Sequence, residues 1–391
     1  MKNQQNRWNI DYTLLFIVFL LAIVSLFTLY TIEPYLPAKY ANQHFLRDQA
    51  IYYVAGGILI LLIMWIDYDR FRQITWSLYT IGIVMLLMLA LRFPQSIVIE
   101  ANGAWSWLAF PGIGTIQPAE FMKIFLVLAL AHIMYRHHAK FIQKTTKSDL
   151  WLLAKMMFAS LPPMGLIMVQ PDLGSALILA SITACMILVS GIRWRIILTV
   201  ILSGVGIVIL LVAIWYFFPG PIATFLEESV FNHVSGRFYG WLHPEQYAES
   251  GYQLIYAMLA IGSGQLFGKG MNTMEVYVPE KHTDMIFTAV AEQFGFIGAS
   301  VVVTLFFLLI YRMIHIALKS NDSYGSYLVT GMIGMFAYQV FQNIGMSIRL
   351  LPITGIPLPF LSFGGSTTLT SMIIIGIVLN VHSRTKKYMF E

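Results

Sequence analysis

The sequence carries few charged residues for its length. Aspartate, glutamate, lysine and arginine together make up 11% of the 391 residues, whereas hydrophobic residues make up 58%. Soluble domains contain about 25% charged residues, so this small charged fraction cannot cover the surface of a soluble globule. The composition therefore excludes a soluble enzyme, a nucleic-acid-binding domain and a disordered scaffold as descriptions of the whole chain.

Cysteine and recognisable cofactor motifs are also scarce. The only cysteine is Cys185, within an apolar run, which excludes an internal disulfide and a cysteine-based metal site. The sequence contains no GxxxxGK(S/T) nucleotide-binding loop and no HExxH zinc motif. We therefore assign no metal ligands, and we expect the energy for any reaction to come from the substrate itself.

Long apolar runs occupy most of the chain. A transmembrane helix needs about 20 mostly apolar residues, and ten stretches meet this requirement approximately. They cover residues 12–30, 49–66, 74–92, 118–135, 151–169, 174–191, 196–217, 287–311, 324–346 and 367–383. The sequence therefore predicts an all-α, polytopic membrane protein with about ten transmembrane helices, forming a single domain over residues 1–391.

Lysine and arginine residues predict the orientation of this protein. Most of them lie in the two terminal tails and in the loops on the same side of the membrane as the tails. Because basic loops stay in the cytoplasm, both termini are predicted to be cytoplasmic. The long connection between spans seven and eight, residues 218–284, is then a large extracellular loop.

An unusual polar cluster lies just before and inside the fourth predicted span. The segment NGAWSWL contains Trp107, and the following QPAEFMK contains Glu120 and Lys123. A lysine about 7 Å inside a span is costly unless it is paired or faces a wet cavity. Glu120 and Lys123 share one helical face, so they either satisfy each other or bind an anionic lipid headgroup.

A second group of polar residues belongs to the long extracellular connection. Arg237 is followed by Gln253 in the segment GYQLIY, and the segment PEKHTD supplies Glu280, His282 and Asp284. Asp284 directly precedes a span, so it either caps the next helix or is a partly desolvated carboxylate. Desolvation would raise its pKa and make it a competent proton acceptor.

Proline and glycine interrupt an apolar stretch before the last span. Residues 347–366 contain three prolines, three glycines and Ser362 within LPITGIPLPFLSFGGS. Irregular backbone at membrane depth is tolerated only where it is buried in protein or lines a wet cavity. We predict a part-embedded outer loop, either a structural plug or part of a ligand site. Asp172, in QPDLGS, either caps a helix or lines a cavity.

These clusters, in this order, resemble the SEDS family of shape, elongation, division and sporulation proteins. The matching stretches are NGAWSWL, IQPAEFMK, QPDLGSA, GYQLIYAMLAIGSGQLFGKG, VPEKHTDMIF, AEQFGFIG and QNIGMSIRLLPITGIPLPFLSFGGS. The resemblance covers nearly the whole chain. The FQNIGM stretch with Met346 and the short basic tail resemble the RodA (elongation) branch more than the FtsW (division) branch.

The resemblance implies a ten-span peptidoglycan glycosyltransferase in the bacterial cytoplasmic membrane. Such enzymes polymerise lipid II, an undecaprenyl-diphosphate-linked disaccharide-pentapeptide, at the outer face of the membrane, here during cell elongation and maintenance of cell shape. They work with a class B penicillin-binding protein and the elongation machinery. By position, Asp284 matches the family's essential aspartate and Trp107 matches a functionally important tryptophan.

One position departs from the family pattern beside Trp107. Ser106 stands where many relatives carry arginine. This leaves open whether a cation from this loop contacts the donor.

The substrate and product implied by the family resemblance lead us to expect an inverting displacement, with Asp284 as the general base. Lys123 and Arg237 are candidates to stabilise the diphosphate leaving group, and a divalent cation is left open. The candidate substrate-binding residues are Trp107, Glu120, Lys123, Arg237, Gln253, Glu280, His282 and Ser362. Two alternatives remain: a flippase or transporter of lipid-linked precursors, and a non-catalytic scaffold for a penicillin-binding protein.

Overall fold

A computed structural model describes most of the chain as a bundle of helices. The described residues are 10–40, 43–101, 104–110, 114–141, 143, 145–217, 232–246, 248–271 and 273–385. The α-helices among them are α1 (Tyr12–Ile32), α2 (Phe45–Trp65), α3 (Tyr68–Ala90), α4 (Pro118–Lys140), α5 (Thr146–Val169), α6 (Leu173–Val189), α7 (Trp194–Phe217), α8 (Asn232–Leu242), α9 (Ala248–Ser263), α10 (Ile286–Lys319), α11 (Ser323–Ser347) and α12 (Gly365–Arg384).

Every predicted span coincides with one of these helices, which confirms the polytopic helical class. Seven helices in the described part are long and apolar enough to cross a membrane, namely α1 to α5, α10 and α12. The apolar helix α6 and the apolar part of α7, Trp194–Ile207, are shorter. The ninth predicted span coincides with α11, whose 25 residues include several polar side chains such as Gln339, Gln342 and Asn343.

Local sequence explains where several helices begin. Asp11, Asp172 and Asp322 each accept a hydrogen bond from a backbone N–H in the first turn of α1, α6 and α11, respectively. Such caps satisfy N–H groups that have no partner within the helix. Pro118 occupies the first position of α4, where its missing N–H costs nothing.

A small antiparallel sheet between α3 and α4 was not predicted from the sequence. Its strands are β1 (Val98–Ala101), β2 (Ala104–Phe110) and β3 (Gly114–Ile116), in the order β1-β2-β3. Val98 and Leu108 bury their side chains against Leu89 of α3. Strand pairing and this packing on α3 hold the sheet together. Strand β3 leads directly into α4.

The long predicted loop contains two helices and an irregular segment. The helices are α8 and α9, and residues 218–231 lie outside the described part of the chain. Helix α9 packs against both α8 and α10. The side chain of Trp241 on α8 donates a hydrogen bond to the backbone carbonyl of Arg349, 3.1 Å away. This connection is therefore folded back onto the bundle, near the segment that joins α11 to α12.

Helices α4 and α12 lie at the centre of the bundle. In their apolar stretches, 83% and 78% of the residues are buried, against 22–44% in the other five candidate spans. Helix α12 packs against α2 and α4, and α11 packs against α4, α6 and α10. The two most enclosed helices, α4 and α12, are those whose N-termini contact each other at one end of the bundle.

Candidate active site

The N-termini of α4, α6 and α12 meet at one end of the bundle, called here the Asp284 end. The backbone N–H of Gln117, which precedes α4, donates to the hydroxyl of Ser366 in α12 at 3.0 Å. The Gln117 side-chain amide lies 3.5 Å from the carboxylate of Asp172, the cap of α6. Helix N-termini carry partial positive charge, so this end of the bundle favours anionic groups.

The irregular segment 348–364, between α11 and α12, folds into this end of the bundle. The apolar side chains in its second half, including Ile356, Leu358 and Phe360, are buried. The side-chain amide of Asn343 donates to the carbonyls of Ile356 and Asp284, both at 2.7 Å. One buried amide therefore holds the irregular segment and the Asp284 backbone in a fixed relation.

Asp284 lies in the turn before α10, and its carboxylate faces Gly355. The Oδ2 atom lies 3.3 Å from the position that a Cβ atom on Gly355 would occupy. Gly355 has a φ angle of 71° and is exposed. The cap of α10 is the neighbouring residue Met285, which makes no side-chain capping bond. The interpretation of Asp284 as a helix cap is therefore wrong, because its carboxylate points to the Gly355 segment.

Burial and two neighbouring carboxylates make Asp284 an unusually weak acid. Burial is the largest cause that raises its pKa, to about 7, and the charges of Glu280 and Asp172 act in the same direction. The positive charge of Arg237 opposes this shift and lowers the pKa. A carboxylate with a pKa near neutrality can accept a proton and exist in both states at physiological pH.

Arg237 brings a positive charge close to Asp284. Its guanidinium, carried by α8, donates a hydrogen bond to the carbonyl of Thr354 at 3.1 Å. Thr354 precedes Gly355, so the same interaction steadies the segment that faces the Asp284 carboxylate. The sequence placed Arg237 among the substrate-binding candidates, and the structure brings it to the site.

His282 and Ser362 hold the turn that carries Asp284. The His282 ring packs edge-on against Tyr40 and Phe45, with ring centres 4.8 and 4.7 Å apart. Burial lowers the pKa of His282, so this ring is neutral at physiological pH. The Ser362 hydroxyl donates to the carbonyl of Thr283 at 2.6 Å. Both side chains are buried, and their placement indicates a supporting role.

Glu280 and Gln253 are likewise engaged within the protein. The Glu280 carboxylate accepts hydrogen bonds from the hydroxyls of Tyr40 and Thr283, each at 3.2 Å. The Gln253 side chain, on α9, donates to the carbonyl of Pro279 at 3.2 Å. Glu280 acts on Asp284 through its charge, whereas Gln253 ties α9 to the turn.

Glu120 and Lys123 satisfy each other inside α4. The Lys123 ammonium lies 2.6 Å from Glu120 Oε1, and the two side chains are 0% and 2% exposed. The sequence left open whether this pair binds an anionic headgroup. A lysine without exposed surface does not reach an incoming diphosphate in this structure, whereas the positive charge of Arg237 lies close to Asp284.

Trp107 lies on β2, directly across from Ile99 of β1, and is partly exposed. The neighbouring Ser106 is buried, with its hydroxyl 3.5 Å from the carbonyl of Gln170. Asn102 and Gly103 of the same motif lie outside the described residues. A sugar-stacking role for Trp107 stays a prediction.

Sequence reasoning missed two features of the site. Gly355 was noted only as one glycine of an irregular loop, although its positive φ explains why a glycine stands there. A buried ion pair between Lys281 and Glu292 was also missed. The role of Gly355 and the Lys281–Glu292 pair depend on contacts between residues that are far apart along the chain or across a turn. The spacing of residues in the sequence does not reveal such contacts.

The described residues offer no ready metal site. Among them, no three or more histidine, cysteine, aspartate or glutamate side chains are grouped so as to hold a metal ion. Asp284 and Glu280, the two carboxylates of this turn, would supply only two side chains.

The sequence matches known proteins over nearly the whole chain. A family model described as a cell cycle protein, of the FtsW, RodA and SpoVE type, matches residues 11–387. A probable peptidoglycan glycosyltransferase FtsW from Trichlorobacter lovleyi is 31% identical over 382 residues, covering 96% of this chain and 94% of the relative.

Two solved structures share the fold over nearly their full length. One, described as "Structural coordination of polymerization and crosslinking by a peptidoglycan synthase complex", has a TM-score of 0.77 and 24% identity, covering 96% of this chain and 98% of that chain. The other, the rod shape determining protein RodA of Thermus thermophilus, has a TM-score of 0.67 and 25% identity, covering 97% and 99%.

Proposed function

Because the chain belongs to the FtsW, RodA and SpoVE family of cell cycle proteins, we infer that it is a peptidoglycan glycosyltransferase. We propose that its substrate is lipid II and that its product is a glycan strand. The observation that carries this proposal is the pairing of a carboxylate of raised pKa, Asp284, with the cation Arg237 at the meeting point of three helix N-termini.

The proposed reaction is a single displacement that needs one base for the proton and one region that binds the anionic leaving group. The donor sugar is joined α to a diphosphate and the product linkage is β-1,4, so a single displacement with inversion connects them. The 4-hydroxyl of the acceptor sugar attacks the anomeric carbon of the donor as its proton passes to Asp284. The bond to the diphosphate breaks, and the diphosphate leaves with the electron pair.

Arg237 and the helix N-termini suit the departing diphosphate. The guanidinium already uses one N–H on the Thr354 carbonyl, and a guanidinium has five N–H donors in total. The positive ends of α4, α6 and α12 add to this field. Positive groups arranged in advance around a developing negative charge stabilise the transition state. No protonated acid is needed, because diphosphate is a good leaving group.

We propose that the Asp284 end of the bundle faces the outside of the cytoplasmic membrane. The support is the concentration of lysine and arginine in the loops at the opposite end and in the tails, which favours cytoplasmic termini. Most of the basic tail after α12 lies outside the described residues. In this orientation, lipid II presented in the outer leaflet meets Asp284 directly.

The elongation branch and a crosslinking partner are further parts of the proposal. The FQNIGM stretch supports the RodA branch, although the relative described above is an FtsW. A class B penicillin-binding protein is the partner that we propose for crosslinking the peptides. The shared fold with a chain from a complex for polymerisation and crosslinking agrees with this pairing.

Incubation of the purified chain with lipid II tests the proposed function. We expect glycan strands much longer than a dimer, separable on a denaturing gel and removed by a muramidase. The assay should be run in detergent and in liposomes, with and without a class B penicillin-binding protein. Unchanged lipid II in all four conditions would contradict the proposal and favour a scaffold, and movement of intact lipid II across the liposome membrane would favour a flippase.

A further inference from the structure

A buried ion pair ties the turn that carries Asp284 to α10. The Lys281 ammonium lies 2.5 Å from Glu292 Oε2, and the two side chains are 6% and 0% exposed. Lys281 precedes Asp284 by three residues, whereas Glu292 lies within α10. The pair therefore connects the start of the turn to the helix that follows it.

Glu292 also binds the segment that leads into this turn. Its Oε1 atom accepts hydrogen bonds from the backbone N–H groups of Glu275 and Val276 at 3.0 and 3.1 Å. The ammonium of Lys269 lies 3.4 Å from the same oxygen. One buried carboxylate thus fixes three points of the connection between α9 and Asp284, in addition to Lys281.

The same connection is bonded into a break in α10. Gly295 has a non-helical conformation, with φ 63° and ψ −159°. Around this break, the carbonyls of Gln265 and Leu266 accept hydrogen bonds from the N–H groups of Phe296 and Ile297, at 2.9 and 3.2 Å. The connection therefore has a fixed place on α10, and the Lys281–Glu292 pair extends that attachment to the turn of Asp284.

Lys281 has no proton left for a substrate. An ammonium has three N–H donors, and the contacts of Lys281 number three: Glu292 Oε2, the Val276 carbonyl at 2.9 Å and the Met274 sulfur at 3.6 Å. Burial lowers the pKa of Lys281, and the Glu292 carboxylate opposes that shift. Lys281 is therefore close in sequence to the proposed base, but its charge is paired with Glu292.

We propose that Lys281 and Glu292 are positioning residues, which hold the Asp284 turn so that its carboxylate stays against the Gly355 segment. This inference rests on the proposed function, because it assigns the pair a role in the same reaction. The pair acts through the backbone between Lys281 and Asp284 and does not contact the substrate.

The double variant Lys281→Met/Glu292→Gln separates positioning from simple stability. A single replacement would leave a buried charge without its partner, which destabilises proteins strongly, whereas removing both charges is often neutral. Glutamine keeps an acceptor for the two backbone N–H groups, and methionine fills the volume of the lysine stem. We expect the double variant to unfold near the temperature of the unaltered chain.

The kinetic expectation for the double variant is a loss in kcat with little change in KM. Slight misplacement of a reacting group can lower a rate by about 100-fold, so we expect kcat for lipid II polymerisation to fall by about 10- to 100-fold. The matched control is the double variant Arg47→Met/Asp48→Asn, which removes an ion pair whose side chains are 67% and 33% exposed. This control should keep kcat within about threefold, because exposed ion pairs contribute little.

Each result decides a specific point. A stable double variant with unaltered kcat would overturn the positioning role and leave the pair a purely structural one. A raised KM with unaltered kcat would also overturn it, because Lys281 would then contact the substrate. If the unaltered chain itself forms no polymer, the proposed function fails, and this inference fails with it.

Discussion

Asparagine in place of Asp284 is expected to lower the rate of lipid II polymerisation by about 10²- to 10⁴-fold. This is the usual contribution of a positioned general base, and asparagine has nearly the same shape but accepts no proton. The measurement is the initial rate of strand formation by the purified variant, at saturating lipid II and at a pH above 7, where the carboxylate of the unaltered protein is ionised.

The Asp284→Asn variant should be fully folded. The causes that shift the pKa of Asp284 are burial and charge, with no hydrogen-bond donor among them, so the substitution removes no described bond to the carboxylate. Removal of a desolvated charge should leave the unfolding temperature unchanged or slightly higher. Asp48→Asn is the matched control, since Asp48 is a more exposed aspartate paired with Arg47. A polymerisation rate close to normal in Asp284→Asn would remove Asp284 from the role of base.

Alanine in place of Gly355 is also expected to lower the rate of lipid II polymerisation. A Cβ atom there would lie 3.3 Å from Asp284 Oδ2, and the φ angle of 71° is unfavourable for residues other than glycine. The carboxylate or the irregular segment must therefore shift. The contact alone requires a shift of a few tenths of an ångström, and the strained φ angle adds to it. Because a shift of about 1 Å can cost about 100-fold in rate, we expect a loss of about 10-fold in kcat.

Gly262→Ala provides the matched control for this change. Gly262 lies in α9, and a Cβ atom on it would have no neighbour within 4 Å. Alanine should be neutral or slightly stabilising there, because it favours helix more than glycine does. Equal activity of Gly355→Ala and Gly262→Ala would show that close approach at Gly355 is irrelevant to the reaction.

The sequence predicts the helical bundle well because transmembrane helices depend on local composition. Runs of about 20 apolar residues give the ten spans, and Pro118 marks the start of α4. The small sheet escaped prediction because β1, β2 and β3 are short and are stabilised by pairing with each other and by packing on α3. Strand pairing of this kind leaves only a weak pattern in a single sequence.

The candidate site is only partly visible in the sequence. Asp284 stands out because an aspartate at the edge of a span is unusual. Its contacts with Gly355, Arg237 and Asp172 join segments that are far apart along the chain, so they require the folded structure. The Glu120–Lys123 pair shows the opposite case, since a spacing of three residues offered two interpretations and only burial favoured the internal pair.

The dependence of kcat/KM on pH tests most directly whether an ionised Asp284 drives the reaction. Burial raises the pKa of this carboxyl to about 7, so its active, ionised form disappears as the pH falls. Burial lowers the pKa of His282 in the same turn, which moves the titration of that ring further below neutrality. With Asp284 as the base, kcat/KM should fall tenfold per pH unit below about pH 7 and stay level above it. A kcat/KM that stays level down to about pH 5 would contradict this role of Asp284.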